Sequence, residues 1–554
     1  MKTKKTKSTS NKKGKIGVLK YLLFLPVVIY LPGILGWIPY PSETAQYTDL
    51  LLAHYPNAVY LRNAILQDHS IPLWSNLIYS GVPFAANPLS GVWYLPGWIA
   101  LIFPLPAGIS IALGLHSVFG AWGFCKLLKS EGAGDTGSII GGIAFGLMPK
   151  FAAHYGAGHV SLLYALSWTP WLLMASRNDN KAWKAGICYA FLFLADPRWA
   201  VFTGLIWISY YISHRQYNLK KALGFYLKAG GISFLIASPL ILPMMEFTRI
   251  STRSMMTAED VLLYSLPPEK LLGLIIPSSV GNTEWFMYQS GLILLLFIFH
   301  LFIKGARKIN IFWSTWIVMS LLISFGALIP GAEWAAKLPL VSLLRVPSRA
   351  LFIMGIGFAA VAGKTSDWFI NHNISKAVVR EIAFGVFIFA IFLGSAVFIN
   401  TKTIDITLLW GFIFLIISAL GLIIVSQITR TEIRKIILLS IVVIDLIGAG
   451  FLSYDIKTKG QIDANRQEII SYIQNENGIF RMYSPSYSVP QYLAVEHSLE
   501  MADGVDPLQI EAYSAYMSTA TGIIPSGYSV SIPSYETGNS GIDNINSGPD
   551  AFLM

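Results

Sequence analysis

The stretch "LLWGFIFLIISALGLIIV", residues 408–425, runs for eighteen residues without a charge. A bilayer core is crossed by about 20 predominantly apolar residues wound as a helix, so this segment reads as a membrane span. "IGVLKYLLFLPVVIYLPGILGWI", residues 16–38, reads the same way. Composition agrees along the whole chain. Of 554 residues 54% are hydrophobic and 13% are charged, against about 25% charged in an ordinary soluble protein. The fold class expected is an all-α polytopic membrane protein.

About thirteen spans are expected. They begin near Ile16, Gly108, Gly137, His159, Trp183, Pro197, Gly224, Gly291, Asn310, Ala350, Ile382, Thr407 and Ile436. The proline-broken segment "GVWYLPGWIALIFPLP", 91–106, is taken as re-entrant or interfacial, since one more span there inverts every later loop.

Charge orients the chain. The net charge is +10, and the first fifteen residues hold seven lysines and no acid, so the remainder carries +3. That tail, 1–15, reads as a cytoplasmic anchor under the positive-inside bias. No arginine or aromatic is interleaved with its lysines, so the anchor is expected over a nucleic-acid arm. A cleaved signal peptide is not expected, given the length of the apolar segment and the lack of a small-x-small site. With the N-terminus inside, 26 of the 40 lysines and arginines fall in the tail or in inner loops such as "KLLK", "RNDNKAWK" and "RTEIRK". Ten fall outside before residue 454 and four in the C-terminal segment. The expectation is a multi-pass plasma-membrane protein with a transmembrane domain over 16–454. Its loops rich in unusual polar residues, 41–90, 150–159, 195–199, 245–290 and 331–349, then share the outer face as one site.

Residues 455–554 change character: short apolar runs are punctuated by Gly, Ser, Pro, Tyr and Asn. They read as an extracytoplasmic domain, mixed α/β or β-rich. It stops at "PDAFLM" with no closing element, as a domain cut short does. Cys125 and Cys188 both fall in expected spans, so neither a disulfide framework nor a cysteine metal site is expected. No repeat of fixed period is present. Neither a phosphate-binding G-x-x-x-x-G-K-[ST] loop nor a G-x-S-x-G elbow occurs. Energy for a reaction must therefore come from an activated, membrane-borne substrate.

Within the outer loops, "YTDLLLAHYPN" (47–57) holds Asp49. Thr48 or Asp49 fits a helix N-cap. Asp49 also fits a general base, a partly desolvated carboxylate able to take a proton from a sugar or polyol hydroxyl. "HYGAGH" sets His154 and His159 around two glycines. They are either interfacial residues on a tight loop or donors to a phosphate or sugar, with Lys150 adding a cation. A zinc pair is disfavoured, because a spacing of five does not share a helical face and no third ligand is evident. "ADPRW" offers Asp196 and Arg198 either as an ion pair at a turn, with Pro197 opening the next helix, or as ligand-binding groups. "EFTRISTR" and "LRVPSR" add Glu246, Arg249, Arg253, Arg345 and Arg349. Singly these arginines snorkel to headgroups; together they form a receptor for a lipid-linked phosphate or pyrophosphate, which the planar guanidinium suits.

One early outer Asp, then "PLWSNLIYSGVPFAANP" (72–88), "GHV" with "LSWTPWLL", "LRVPSR" and a late outer domain form a pattern. It resembles the bacterial YfhO-type membrane proteins, within the GT-C glycosyltransferases, over most of the chain from about Tyr47. The resemblance implies a sugar taken from a polyprenyl-phosphate or pyrophosphate donor and passed to a lipid, glycan, polymer or protein acceptor of the cell envelope. It also implies catalysis by the Asp of the first outer loop, here Asp49. Relatives that use a divalent metal carry an acidic pair; here Glu43 and Asp49 form no D-x-D, so no cofactor or metal is expected. On this reading Asp49 deprotonates the acceptor in an inverting transfer, and Arg249, Arg345 and Arg349, with His154 or His159, stabilise the leaving phosphate. The rival classes are a transporter or flippase of lipid-linked sugars, which wants polar groups at mid-membrane depth such as Asp445, and a non-catalytic scaffold for envelope assembly.

Overall fold

A backbone in lipid must satisfy every N–H and C=O within its own segment, and a helix does so. Our computed structural model describes residues 19–521 apart from 215–217, 278–281, 303, 339–340, 343, 373–374, 402–404, 465, 477 and 485–486. The basic tail 1–15 lies outside the described residues. Helices dominate what is described. Five of them are long and apolar enough to cross a membrane: Ala107–Ser130, Asp135–Gly156, Leu219–Arg249, Pro347–Asn371 and Ile406–Gln427. Asp135–Gly156 joins two helices, Asp135–Gly146 and Pro149–Gly156. The proline-rich stretch after residue 88 breaks into short turns, among them Leu95–Trp98 and Ile99–Ile102. At 1.5 Å per residue neither can cross a bilayer.

Two helices make the centre. Asp135–Gly156 is buried along the whole of its most apolar window and Pro347–Asn371 along 94% of it, whereas Leu219–Arg249 is buried along 28%. The central pair meet through small residues. A Cβ on Gly137 would collide with the Gly363 carbonyl, and one on Gly363 with that of Gly137; such close backbone approach is how membrane helices gain packing without a hydrophobic drive. Leu219–Arg249 turns Leu223, Leu227, Leu235 and Leu242 outward, the surface a lipid-facing helix presents.

Asp445 is buried in the helix Thr431–Phe451. It accepts hydrogen bonds from Tyr288 Oη (2.8 Å), Trp410 Nε1 (3.1 Å) and the backbone N–H of Gly291 (3.0 Å). It therefore caps the helix Gly291–Phe302 and ties three elements together.

The segment after Thr431–Phe451 is mostly helical and packs against the first loop. Among the described residues of 455–521 the only strand is β2, Asp455–Lys457; the helices are Lys459–Ile462, Gln467–Asn475, Gln491–Glu496 and Glu511–Thr521. β2 pairs antiparallel with β1, Ile38–Tyr40, which follows the first apolar helix. The segment then folds onto the first loop: Met501 N–H donates to the Leu77 carbonyl, Tyr79 N–H to that of Asp503 and Ser80 N–H to that of Met501.

Candidate active site

The five polar loops converge on one end of the bundle. They line a cavity of about 840 Å³, whose walls include Tyr47, Asp49, His54, His159, Arg198, Arg253, Glu284, Arg345 and Arg349. Val505 and Pro507 of the C-terminal segment complete the rim. His54 and Leu89 also line an adjoining cleft whose other walls are mostly apolar, including Leu61, Leu101, Ile109, Val160 and Leu194.

Asp49 stands at the head of the five-residue wide turn Leu50–His54, yet its side chain makes no cap hydrogen bond. The N-cap role weighed for Thr48 or Asp49 is not taken by either side chain: Thr48 Oγ1 donates to the Gly156 carbonyl at 3.1 Å. Asp49 Oδ2 instead meets His159 Nε2 at 3.2 Å, with 56% of the Asp49 side chain exposed, into the cavity it lines. Burial within the protein pushes the Asp49 carboxyl up; the hydrogen bond and charge of His159, with His54 and Arg198 beyond, outweigh it and leave Asp49 below the ordinary carboxylate range. His54 behaves oppositely. Burial and the charge of Arg198 outweigh Asp49 and push the imidazole down to about 4, so it is neutral at pH 7.

Gly158 brings these loops together. It has φ +82°, and a Cβ there would collide with the backbone N of Leu50 and crowd Thr48. Only glycine admits both the left-handed turn and the contact. The turn folds His159 back on His154, so that their Nδ1 atoms lie 2.7 Å apart. A spacing of five on one helix would have kept them apart.

Glu284 was not anticipated. It is 4% exposed, and its Oε1 accepts from Nε (3.1 Å) and a terminal nitrogen (3.0 Å) of Arg349. Its Oε2 lies 3.7 Å from His154 Nε2. Lys150 is also buried, and its Nζ donates to the Glu284 and Phe286 carbonyls at 2.7 and 3.0 Å; it fixes the Glu284 loop. Burial pushes the Glu284 carboxyl up, but Arg349, His159 and Lys150 together hold it below its ordinary range.

Asp196 takes the turn-forming role. It caps the helix Pro197–Ser213 through the N–H groups of Arg198 and Trp199, pairs with the Arg198 guanidinium at 2.6 Å and accepts from Ser161 at 3.0 Å. It is 1% exposed and does not line the cavity; Arg198 does. Burial raises the Asp196 carboxyl, and Arg198 more than reverses this, holding it well below the ordinary range.

Arg345 and Arg349 face the same cavity although Pro347 separates them. Val346 makes this possible by adopting φ +62°, a conformation strained for a β-branched residue. Glu246 and Arg249 correct the expectation. They are exposed at the end of Leu219–Arg249 and do not line the cavity. The helix runs on to Arg249, so both residues project from it. Arg253, past the turn, reaches the cavity instead. Glu43 is likewise exposed and absent from the lining.

No family model matches the chain, and no curated protein matches it. Among solved structures, ArnT from Cupriavidus metallidurans bound to undecaprenyl phosphate aligns over 88% of this chain and 84% of its own, at 11% identity and a TM-score of 0.47. The arabinofuranosyltransferase AftD from Mycobacteria aligns over 63% of this chain and 24% of its own, at 18% identity and 0.40. The oligosaccharyltransferase AglB from Archaeoglobus fulgidus, in complex with an inhibitory peptide and a dolichol-phosphate, aligns over 87% and 64%, at 11% and 0.38. Likeness this distant assigns no function, and the functional reading stands on the cavity.

Proposed function

We propose that the chain is a membrane glycosyltransferase that moves a sugar from a polyprenyl-phosphate-linked donor to an acceptor hydroxyl, with Asp49 as the general base. The observation that carries the reading is one carboxylate open to a roomy polar cavity, opposite several arginines and next to an apolar cleft. Few ligands answer that combination: a phosphorylated sugar in the cavity, with the first carbons of its lipid tail at the cleft, whose volume is about 70 Å³.

The chemistry is a single displacement. Asp49 takes the proton as the acceptor oxygen bonds to the anomeric carbon. The bond from that carbon to the phosphate oxygen breaks, and its electron pair leaves with the polyprenyl phosphate. Arg345 and Arg253, with Arg349, meet the charge that develops on the leaving group. Displacement from the opposite face inverts the anomeric centre. His159 Nε2, 3.2 Å from Asp49 Oδ2, orients the carboxylate that lines the cavity. The neutral His54 adds polarity without repelling the donor's charge-bearing neighbours. Arg253 takes the part first expected of Arg249.

The reading extends to a thirteen-span plasma-membrane protein with the cavity on the outer face, of the YfhO type, acting on a cell-envelope acceptor. The charge bias of the loops supports that orientation. The full chain in nanodiscs, offered a hexose on polyprenyl phosphate or on a nucleotide with a membrane acceptor fraction, tests it. Transfer is expected from the lipid donor alone. Use of the nucleotide sugar, or movement of lipid-linked sugar across vesicles without transfer, refutes it.

A further inference from the structure

We infer that Gln491, in the C-terminal segment, is a positioning residue for Asp49: its side-chain amide holds the wide turn that Asp49 heads. The inference rests on the transferase reading and adds to it a part for the C-terminal segment.

Pro56 creates the need. In an α-helix the Leu52 carbonyl accepts the N–H four residues on, and residue 56 is a proline, which has none. The chain widens just before it. The Tyr55 N–H reaches back five residues to the Leu50 carbonyl at the end of the turn Leu50–His54, and the regular helix Tyr55–Leu66 follows. Single wide turns of this kind recur at functional sites.

Gln491 supplies the missing donor. Its Nε2 donates to the Leu52 carbonyl at 3.0 Å, and its Oε1 accepts from the Val505 N–H at 2.7 Å. The two partners fix which end of the amide is which, since a carbonyl only accepts and an N–H only donates. Gln491 is buried. Leu52 and Val505 both line the cavity, and they pack together with Tyr487 and Tyr47. The amide therefore ties the turn to the cavity rim from behind.

The consequence for Asp49 follows from where the turn is held. At its head the Asp49 N–H donates to the Ala157 carbonyl at 3.0 Å. Three residues on, Gln491 holds Leu52. Just past its end the Tyr55 hydroxyl donates to Glu496, whose two oxygens Lys459 Nζ meets at 2.7 Å each. Gln491 and Glu496 are the first and last residues of one short helix, Gln491–Glu496. A turn pinned at its head by the histidine loop and along its length by that helix keeps one orientation, and Asp49 keeps it too.

The test uses the full chain in nanodiscs with polyprenyl-phosphate hexose and a membrane acceptor fraction. Gln491→Met keeps the length of the side chain and loses both hydrogen bonds. We expect kcat to fall about 10–100-fold, as for a misplacement of about 1 Å at a reacting group, with donor KM within about threefold of wild type. Pro56→Ala, added to Gln491→Met, returns an N–H that the Leu52 carbonyl can accept in the ordinary α register. The double variant is expected to recover Tm and not kcat. Recovery of both marks a hydrogen bond that serves the fold alone and overturns the assignment, as does a wild-type kcat in Gln491→Met. If Gln491→Met fails to fold, Gln491→Glu takes its place with the same expected loss, since it keeps the acceptor for Val505 and loses the donor for Leu52. Hydrogen exchange of the peptide 49–55, read without substrate, separates this inference from the reading it rests on. Faster exchange there in Gln491→Met, with no sugar transferred by the wild type, sinks the transferase reading alone. Unchanged exchange overturns the part given to Gln491.

Discussion

His159 Nε2 stands 3.2 Å from Asp49 Oδ2, and the contact exists because Gly158 lets two distant loops share one backbone surface. Asp49 N–H donates to the Ala157 carbonyl at 3.0 Å, and Thr48 binds the carbonyl of Gly156. The candidate base is thus positioned by the histidine loop as much as by its own.

Gly158→Ala tests that dependence. The Cβ must displace Leu50, and the left-handed turn adds roughly 1–2 kcal/mol. A misplacement of about 1 Å at a reacting group costs up to ~10² in rate. We expect kcat to fall about 10–100-fold, with helical circular dichroism unchanged.

Arg349 and Arg345 separate structure from chemistry. Arg349→Ala strands the buried Glu284 carboxylate, a loss of about 3–5 kcal/mol, read as a lowered Tm. Adding Glu284→Gln to that variant should recover most of the Tm. Arg345→Ala should lower Tm less than Arg349→Ala, since it strands no buried carboxylate, and lower transfer by about 10²–10³-fold. Equal Tm losses for the two single variants contradict this division.

The docked C-terminal segment should loosen with rising pH. Burial pushes Asp503 up to about 7 and Asp506 up to about 6. Asp506 rests on Asn87 Nδ2 (2.6 Å) and the Leu508 N–H, near Arg253. Asp503 accepts from the Ser484 N–H, near Tyr487 and Tyr513. With both pKa values raised above the unfolded value of about 3.9, docking is strongest below about pH 4. It weakens as pH rises through about 6–7, where the folded groups ionise. Hydrogen exchange corrected for intrinsic rates should show less protection at Met501 and Asp503 at pH 8 than at pH 5.

Asp445 distinguishes a catalyst from a transporter. Three donors converge on it, which marks it as a cap and cross-link. Asp445→Asn should cost about 1–3 kcal/mol of stability and leave transfer per folded molecule unchanged. A selective loss of lipid-linked sugar movement in that variant favours the transporter.

The membrane helices were legible because their apolar runs are local, and the converging loops because charge bias sorts one end from the other. What was not legible is nonlocal. Glu284 sits in "NTEW", where an Asn282 side chain accepts its N–H at 2.8 Å, and nothing in that tetrapeptide announces Arg349 or His154. Arg253 enters the cavity while Arg249 does not because the turn between them is set by the C-terminal segment: Thr252 N–H donates to the Gln509 carbonyl at 2.9 Å. Of the two alternatives for 455–554, mixed α/β or β-rich, the described part carries helices and one strand, and it lies along the first loop rather than forming a sheet of its own. His154 and His159 are neighbours through the glycine turn, with their Nδ1 atoms 2.7 Å apart, and not through a helical spacing.

The central claim is that Asp49 removes the acceptor proton, and single-turnover transfer by Asp49→Asn in nanodiscs tests it most directly. Asn keeps the shape and loses the base. With polyprenyl-phosphate hexose pre-bound, we predict a rate about 10²–10⁴-fold below wild type, with donor affinity within about threefold of wild type. Transfer at the wild-type rate contradicts the assignment.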